Sequence, residues 1–357
     1  MTSRERIQAA LEHREPDRTP IFEYVLLSPL ADTLLGRLYA GDPANQPAML
    51  AELGWEEMVR RIARDQVELA SLLRHDMIYS VPAPLPPPSA PATPGRPAPP
   101  PPEDPVERVA ARNESAAAWT APPPDELFAV YVMLRDEMRA REVDLPLLAP
   151  AYAHGVWTDT DLMQTMVLAP EVAHRHFELA TDRTLRLVDR YIGLGIEQTG
   201  VGGDFAGNRP LISPSAYREF IVAEVRRLSR RVHEAGRWAV NASDGNLWSV
   251  IDDFLLGCEV DGYLEIDLHA GMDLARLKRE FGDKVTFYGN LDCGNILSFS
   301  DPDGVRAHVL ECLEAGMGGG GHILCASNAI TASVPQENYV ALVNAHRDFF
   351  GLPRLAL

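Results

Sequence analysis

Eight short apolar segments alternate with segments of helical periodicity, and this alternation most restricts the fold. The predicted strands are residues 19–25, 75–81, 144–152, 196–201, 238–240, 260–266, 284–288 and 322–325. Alternating strands and helices require a parallel sheet, and eight such units favour closure into a barrel. Thr2 and Glu5 are spaced as a capping box, which predicts a helix before the first strand. The sequence therefore predicts an α/β protein, a single (β/α)8 TIM barrel over residues 1–357 with an N-terminal helical extension.

A proline-rich segment from Pro82 to Pro124 interrupts this alternation after the second strand. It holds more than half of the 29 prolines, accompanied mainly by alanine. Proline cannot continue a helix interior or a central strand, so this composition predicts an extended and largely exposed insertion. The alternative is an ordered flap over a site.

Deletion of residues 86–102 tests the role of this insertion. So few core-forming residues cannot offset the entropy of ordering the segment, and we expect the melting temperature to stay nearly unchanged. If the insertion is a lid, the deletion should weaken ligand binding or turnover. A large fall in melting temperature would show instead that the segment packs on the barrel.

Charge and cysteine usage exclude several classes of protein. A formal net charge of −18 argues against binding to nucleic acid, which requires a basic surface. Cys258, Cys293, Cys312 and Cys325 form no CxxC pair, which favours a reducing compartment over a disulfide framework. No apolar run approaches the roughly 18 residues of a membrane span, and no signal region is apparent. We expect a cytoplasmic protein without a membrane partner.

The candidate site follows from the rule that barrel enzymes carry catalytic groups at the carboxyl ends of their strands. The junction at residues 237–246 is representative, because a buried strand gives way there to small and polar residues. The same position in other units, together with the loop residues Arg209 and Ser243, gives these candidates: Glu23, Tyr24, His154, Asp204, Arg209, Ser243, Asp244, Glu265, Asn290, Asp292 and Asn328.

Three acidic residues, Asp204, Asp244 and Glu265, are the predicted catalytic groups. If two carboxylates meet in a partly dry pocket, one should have a raised pKa and could act as an acid near neutrality. For Asp204 and Asp244, the competing interpretation is a helix-capping aspartate.

The other eight candidates are predicted to bind substrate. Arg209 could clamp a carboxylate or a phosphate. For His154 the alternative is a structural role, because a lone histidine is more often structural than functional. For Asn290 and Asp292 the alternative is that they form a turn.

Six short motifs follow one another along the chain: residues 14–20 (REPDRTP), 210–220 (PLISPSAYREF), 243–246 (SDGN), 271–274 (GMDL), 289–292 (GNLD) and 335–339 (PQENY). Together they resemble the uroporphyrinogen decarboxylase superfamily, in particular its corrinoid-methyltransferase-like branch. The likeness covers roughly residues 3–22 and 195–350, and it depends on the order and spacing of motifs that are individually weak. It implies a (β/α)8 barrel with a pocket at the carboxyl face.

Two departures from the family pattern bear on function. The decarboxylases carry an arginine-rich motif after the first strand, whereas residues 21–27 read IFEYVLL. The methyltransferases bind zinc through a His-x-Cys pair and a third cysteine. The corresponding positions here are Ala242, Asp244 and Asn328, so we expect no zinc at this site.

Three functions remain open. The first is transfer of a methyl group between a small methylated compound and a corrinoid protein or a thiol. The second is decarboxylation of a small or tetrapyrrole acid, with an aspartate as proton donor, and the third is a barrel that binds a ligand without catalysis. The implied partners are a small-molecule substrate and, for methyl transfer, a corrinoid protein. The sequence leaves open whether the chain also forms a homodimer.

Overall fold

Seven short parallel strands form one curved sheet in the computed structural model, which describes residues 1–88 and 101–355. They are β1 (Ile78–Tyr79), β2 (Leu147–Pro150), β3 (Gln198–Gly202), β4 (Trp238–Ala242), β5 (Gly262–Leu264), β6 (Thr286–Tyr288) and β7 (His322–Ile323). The strands neighbour each other in chain order, as a right-handed succession of strand–helix units requires. The predicted α/β barrel class is confirmed, but the described residues contain seven regular strands rather than eight.

The helices surround the sheet. They are α1 (Ser3–Leu11), α2 (Leu30–Leu35), α3 (Gln46–Leu53), α4 (Trp55–Leu73), α5 (Pro105–Ala118), α6 (Ala129–Ala140), α7 (Thr160–Leu168), α8 (Pro170–Gly193), α9 (Pro214–Ala216), α10 (Ala223–Glu234), α11 (Leu274–Phe281), α12 (Ile296–Phe299), α13 (Pro302–Gly316) and α14 (Gln336–Phe349). Two π-helical segments, Tyr217–Val222 and Asp253–Gly257, lie before α10 and β5. Among the described residues, no helix has the length and apolar character to cross a membrane.

The predicted first strand, residues 19–25, is reduced to isolated bridges. The Phe22 N–H donates to Leu324 O at 3.1 Å, and the Asp76 N–H donates to Ile21 O at 2.8 Å. This short segment therefore touches both edges of the open sheet without forming a regular strand. Its own Ile21 N–H donates to the buried Asp76 carboxylate instead of to a neighbouring backbone carbonyl. Side-chain capture of a backbone donor explains why the eighth ladder does not develop.

The barrel interior is filled by apolar side chains from successive strands and is covered at the amino end by α1. The capping box of Thr2 and Glu5 starts that helix, as predicted. The interior cluster consists of Ile7, Ala10, Leu11, Phe22, Met77, Leu148, Val240, Ala242, Leu264, Tyr288, Ile323 and Cys325. Because this end is closed by packed side chains, only the carboxyl end of the sheet is available for a site.

The expectation that residues 82–124 are extended is wrong for their second half, although most of residues 105–124 are exposed or half-buried, as expected. Residues 105–118 form α5, which Asp104 caps by accepting from the Val106 and Glu107 N–H groups. Val109 is fully buried, and Arg108 forms an ion pair with Asp161 on α7 at 2.6 Å. Proline suits the first turn of a helix, so Asp104-Pro105 is a start signal that the overall composition concealed. Residues 89–100 lie outside the described residues, and the deletion of 86–102 stays a prediction.

Candidate active site

Three carboxyl groups meet at the carboxyl end of the sheet. Asp204, Asp244 and Glu265 follow the adjacent strands β3, β4 and β5. The negative charges of Asp204 and Asp244 both raise the pKa of Glu265, so all three lie within electrostatic reach of one another. The structure thus brings these three predicted side chains together at one mouth of the barrel, while their catalytic role stays a prediction.

Glu265 is the most deeply buried member of this acidic cluster. The residue is only 7% exposed. Burial, followed by the charges of Asp204 and Asp244, raises its pKa to about 8, while hydrogen bonding from Tyr24 partly offsets the rise. Its backbone φ is 71°, a left-handed conformation that is uncommon outside glycine. A strained, buried and uncharged carboxyl group at a barrel mouth is typical of a functional residue.

Asp244 is partly buried and lies beside the other two carboxyl groups. Burial is the main cause that raises its pKa to about 6, and the charges of Asp204 and Asp267 add to the effect. The Asn328 side-chain amide donates to Asp244 Oδ2 at 3.2 Å and works in the opposite direction. Asp244 is therefore poised to exchange a proton just below neutral pH.

Asp204 is held by close backbone packing. Gly203 has φ of 144°, and a Cβ at that position would lie 2.6 Å from the Gly155 nitrogen. A Cβ on Gly155 would lie 2.9 Å from the Asp204 nitrogen and carbonyl oxygen. Burial raises the pKa of Asp204, and the neighbouring Asp244 backbone and Ser243 side chain offset part of the rise. Within the described part of the chain, its buried Oδ1 has no hydrogen-bond partner.

Three tyrosines lie at the same end of the barrel as the acidic cluster. The rings of Tyr24 and Tyr79 lie with centroids 4.4 Å apart, and Tyr152 packs on the same interior cluster. The buried Tyr152 hydroxyl makes no hydrogen bond to any described residue. Only Tyr24 was among the predicted site residues. Tyr79 ends β1 and Tyr152 follows β2, so the rule that selected Asp204 would also have found them; Asp267, two residues beyond Glu265, was missed as well.

His154 points away from the mouth, which corrects its prediction as a substrate-binding residue. It is completely buried, and its Nε2 lies 2.8 Å from the Thr181 hydroxyl on α8. Burial lowers its pKa to about 3, so the ring is neutral. The side chain leaves the strand end toward the helical layer, where it also stacks on Phe177. His154 is therefore a structural histidine, buried between the sheet and the helices.

Asn290 and Asp292 are engaged in local structure rather than presented to a ligand. Asp292 Oδ1 accepts from the Asn295 N–H at 2.9 Å, which stabilises the turn after β6. The Asn290 amide donates to Met272 O at 3.3 Å, and its carbonyl oxygen accepts from Cys312 Sγ at 3.6 Å. These contacts correct the prediction that both side chains bind substrate.

The remaining candidates differ in position. Ser243 is buried beside the cluster and its hydroxyl donates to Asp244 O at 3.2 Å. Arg209 is exposed on the loop after β3, and no ion pair of its guanidinium is found among the described residues. Glu23 is buried in a separate cavity beside Tyr24.

The three positions that correspond to zinc ligands in the resembling methyltransferases do come together, but with a different chemistry. Asn328 donates to Asp244, and the third position is the methyl side chain of Ala242. A carboxylate and an amide that are hydrogen-bonded to each other do not provide the ligand set of a zinc centre. In residues 1–88 and 101–355, no group of three histidine, cysteine or acidic side chains could hold a metal ion. The absence of zinc stays a prediction, to be checked by metal analysis.

Asn328→Asp should raise the pKa of Asp244 above its value of about 6. The substitution replaces a donor to Asp244 Oδ2 with a second acidic group, which disfavours ionisation of the pair. Carbon-detected NMR titration of the side-chain carboxyl groups measures the shift. Asn328→Ala is the control, because it removes the donor without adding charge and should produce a smaller rise; an unchanged or lower pKa in Asn328→Asp would contradict the assigned contact.

Comparison with known proteins gives a family match and a likeness in fold to a solved structure. The sequence model of the uroporphyrinogen decarboxylase (URO-D) family matches residues 147–349. Proteins named uroporphyrinogen decarboxylase from Methylibium petroleiphilum and Coxiella burnetii (strain Dugway 5J108-111) are 28% and 27% identical over 198 and 187 residues. These matches cover 52% and 50% of this chain, and 50% and 48% of those proteins. The chain thus spans about half the length of the curated relatives it matches.

A solved structure described as a methyltransferase from Methanosarcina mazei has a similar fold, with a TM-score of 0.70 and 17% sequence identity. The match covers 98% of this chain and 99% of that one. It extends the likeness in fold beyond the residues that the family model matches.

Proposed function

Because this chain belongs to the uroporphyrinogen decarboxylase family, we propose that it is an enzyme that transfers a methyl group from a small methylated compound. The acceptor is a corrinoid protein or a thiol. The motifs between residues 210 and 339 support this proposal through their resemblance to the methyltransferase-like branch. The likeness in fold to the Methanosarcina mazei methyltransferase is compatible with it.

The observation that carries the proposal is the neutral carboxyl group of Glu265 at the open end of the barrel. Its burial, followed by the charges of Asp204 and Asp244, raises its pKa to about 8, so it holds a proton at neutral pH. A methyl group bound to oxygen or nitrogen is transferred more readily when the departing heteroatom is protonated. General acid catalysis by a positioned carboxyl group supplies this proton.

The proposed step is balanced in atoms and charge. The electron pair of the nucleophilic acceptor forms a bond to the methyl carbon, while the bond between that carbon and the heteroatom breaks. The heteroatom keeps the bonding pair and takes the proton of Glu265, which becomes a carboxylate. Asp244, with a pKa of about 6, can return a proton to the site between turnovers. A corrinoid on a partner protein, when bound, supplies the nucleophile; no residue of this chain is assigned to hold it.

The surroundings of the acidic cluster favour a substrate without carboxylates. None of the ion pairs found among the described residues joins Asp204, Asp244 or Glu265 to a lysine or an arginine. A polycarboxylate would meet like charges there, whereas such ligands usually require arginine partners.

Incubation with candidate methyl donors and a corrinoid protein, followed by the cobalt absorption spectrum, tests this function. We expect spectral conversion with at least one methylated oxygen or nitrogen compound. Glu265→Gln should slow the conversion about 10²–10⁴-fold, and Asp283→Asn, an exposed substitution before β6, should retain the wild-type rate. Absence of conversion with corrinoid and with thiol acceptors over a broad donor panel would reject methyl transfer.

Decarboxylation is the second candidate, and it is favoured by the sequence matches to proteins named uroporphyrinogen decarboxylase. In that reaction Asp204 or Asp244 would protonate the carbon from which carbon dioxide leaves. Release of carbon dioxide from a carboxylic acid, lost on Asp204→Asn, would establish this alternative. Saturable ligand binding without either reaction would identify a non-catalytic barrel.

A further inference from the structure

Two kinds of side chain divide the open end of the barrel between them. In the order of the sheet, the segment at residues 19–25 adjoins β1, and β2, β3, β4 and β5 follow. Tyrosines stand at the carboxyl ends of the first three segments, and acidic residues stand at the ends of the next three. We call these groups the tyrosine half (Tyr24, Tyr79 and Tyr152) and the acidic half (Asp204, Asp244 and Glu265) of the mouth.

The tyrosine half lies close to the acidic half. Each of its three residues is half-buried and packs on the interior cluster of the barrel. A Cβ on Gly200 would lie 2.6 Å from the Tyr152 hydroxyl oxygen, so this ring lies against β3, the strand that Asp204 follows. Burial raises the pKa values of all three hydroxyl groups, and the charge of Glu265 adds to each rise. Glu265 is therefore within electrostatic reach of every ring in the tyrosine half.

The acidic half keeps a negative charge that the described residues do not neutralise. Asp244, with a pKa of about 6, is mainly ionised at pH 7, whereas Glu265, with a pKa of about 8, is mainly neutral. The Asn328 amide, which donates to Asp244 Oδ2 at 3.2 Å, is itself uncharged. Among the described residues, no lysine or arginine forms an ion pair with the acidic half. A bound cation would gain electrostatic energy there, and an anion would be repelled.

Aromatic rings beside carboxylates are the surroundings in which proteins bind quaternary ammonium groups. The positive charge of such a group is attracted by the negative face of an aromatic ring as well as by an anion. Its methyl groups carry no N–H donor, so it does not require acceptors at fixed positions, as a primary ammonium does. The tyrosine half supplies the rings and the acidic half supplies the charge.

The protonated state of Glu265 distinguishes a quaternary ammonium group from a protonated amine. A quaternary nitrogen carries no proton, and the amine that departs after loss of a methyl group is a base that takes one. A protonated amine already carries that proton, so Glu265 would have no part in the reaction. A positive charge beside Glu265 also lowers its pKa from about 8 toward neutrality, which suits a proton donor.

We propose that the substrate is a small methylated ammonium cation, whose quaternary nitrogen lies between the tyrosine half and the acidic half of the mouth. The inference rests on the proposed function, because it names the methyl donor of that reaction. The electron pair of the acceptor forms the bond to a methyl carbon, the bond between that carbon and nitrogen breaks, and nitrogen keeps the bonding pair. The departing tertiary amine takes the proton of Glu265, so the products are the methylated acceptor, a tertiary ammonium ion and the Glu265 carboxylate.

Binding of matched probes tests the substrate class without any turnover. Choline and 3,3-dimethyl-1-butanol have nearly the same shape, but only choline is charged, and 3,3-dimethylbutanoate carries the opposite charge. Isothermal titration calorimetry at pH 7 and constant ionic strength measures the three dissociation constants. We expect choline to bind at least about tenfold more tightly than the alcohol, and the carboxylate to bind more weakly than both. Absence of saturable choline binding, or binding of the alcohol or the carboxylate as tightly as choline, would overturn the proposal.

Two pairs of variants localise the bound cation. Asp244→Asn removes a charge from the acidic half and should weaken choline binding about tenfold, whereas Asp283→Asn removes an equal charge from an exposed position before β6 and should leave binding unchanged. Tyr24→Leu removes an aromatic ring and should weaken binding about fivefold, whereas Tyr24→Phe keeps the ring and should stay within about twofold of the wild type. Normal choline binding by folded Asp244→Asn or by folded Tyr24→Leu would overturn the proposal.

The outcomes separate this inference from the proposed function. Selective choline binding without methyl transfer to any acceptor would reject the function and leave a site for quaternary ammonium ions. Methyl transfer from uncharged methylated compounds alone, with no preference for choline over the alcohol in binding, would reject the inference and leave the function.

Discussion

Glu265→Gln should reduce the rate of methyl transfer by about 10²–10⁴-fold, the usual contribution of a general acid. Glutamine keeps the size and hydrogen-bonding capacity of the side chain but carries no proton that a leaving group can take. Because the wild-type carboxyl group is mainly neutral at pH 7, the amide also matches its charge. The protein should remain folded, and single-turnover kinetics at saturating donor measure the loss directly.

The pH profile provides an independent check on this role. The acid is active below the pKa of Glu265, so the wild-type rate should fall as pH rises through about 8. The residual rate of Glu265→Gln should lack this limb. Asp283→Asn, an exposed substitution remote from the carboxyl end of the sheet, should preserve both the rate and the limb.

The same pKa also predicts a change in stability with a definite sign. A carboxyl group whose pKa rises from 4.5 to about 8 on folding stabilises the folded state fully at low pH. That stabilisation is lost as pH rises from about 4.5 to about 8, because the unfolded chain releases its proton first. Glu265→Gln should therefore lose less stability over this interval than the wild type. A wild-type-like rate, or an unchanged slope of stability against pH, would remove Glu265 from the proposed role.

The sequence was sufficient to locate the strands because parallel strands are buried on both faces and form continuous apolar runs. Seven of the eight predicted strands contain a regular strand. The first does not, because the carboxylate of Asp76, distant in sequence, takes the backbone donor of Ile21. Such a contact depends on tertiary structure and leaves no local pattern.

The candidate site was predictable to the extent that it depends on strand order. The carboxyl ends of β3, β4 and β5 are neighbours, which brings Asp204, Asp244 and Glu265 together whatever the loop conformations. The direction of a side chain beyond a strand end is set by the loop backbone, and no sequence rule gave it for His154 or Asp292. The burial of Glu265, which raises its pKa, likewise depends on packing from several distant segments.

Asp76→Ala should lower the free energy of unfolding by about 3–5 kcal/mol, the cost of breaking a buried ion pair by removing one partner. Asp76 is fully buried and accepts from Arg6 Nη1 at 2.6 Å and from Arg18 Nη1 at 2.7 Å. The same carboxylate accepts from the Ser3 hydroxyl and the Ile21 N–H, so it ties α1 and the bridging segment to the start of β1.

Asp144→Ala is the matched control for this prediction, because it removes an equally short ion pair in a different environment. Asp144 lies 2.6 Å from Arg4, but its side chain is 68% exposed. Exposed pairs contribute about 0–1 kcal/mol, since water competes for both charges. In Asp76→Ala, by contrast, Arg18 loses the only carboxylate it contacts among the described residues. Urea denaturation at one pH measures the free energy of unfolding of both variants. Equal and small decreases in the two variants would show that the hydrogen bonds of Asp76 do not stabilise the contact between the two edges of the sheet.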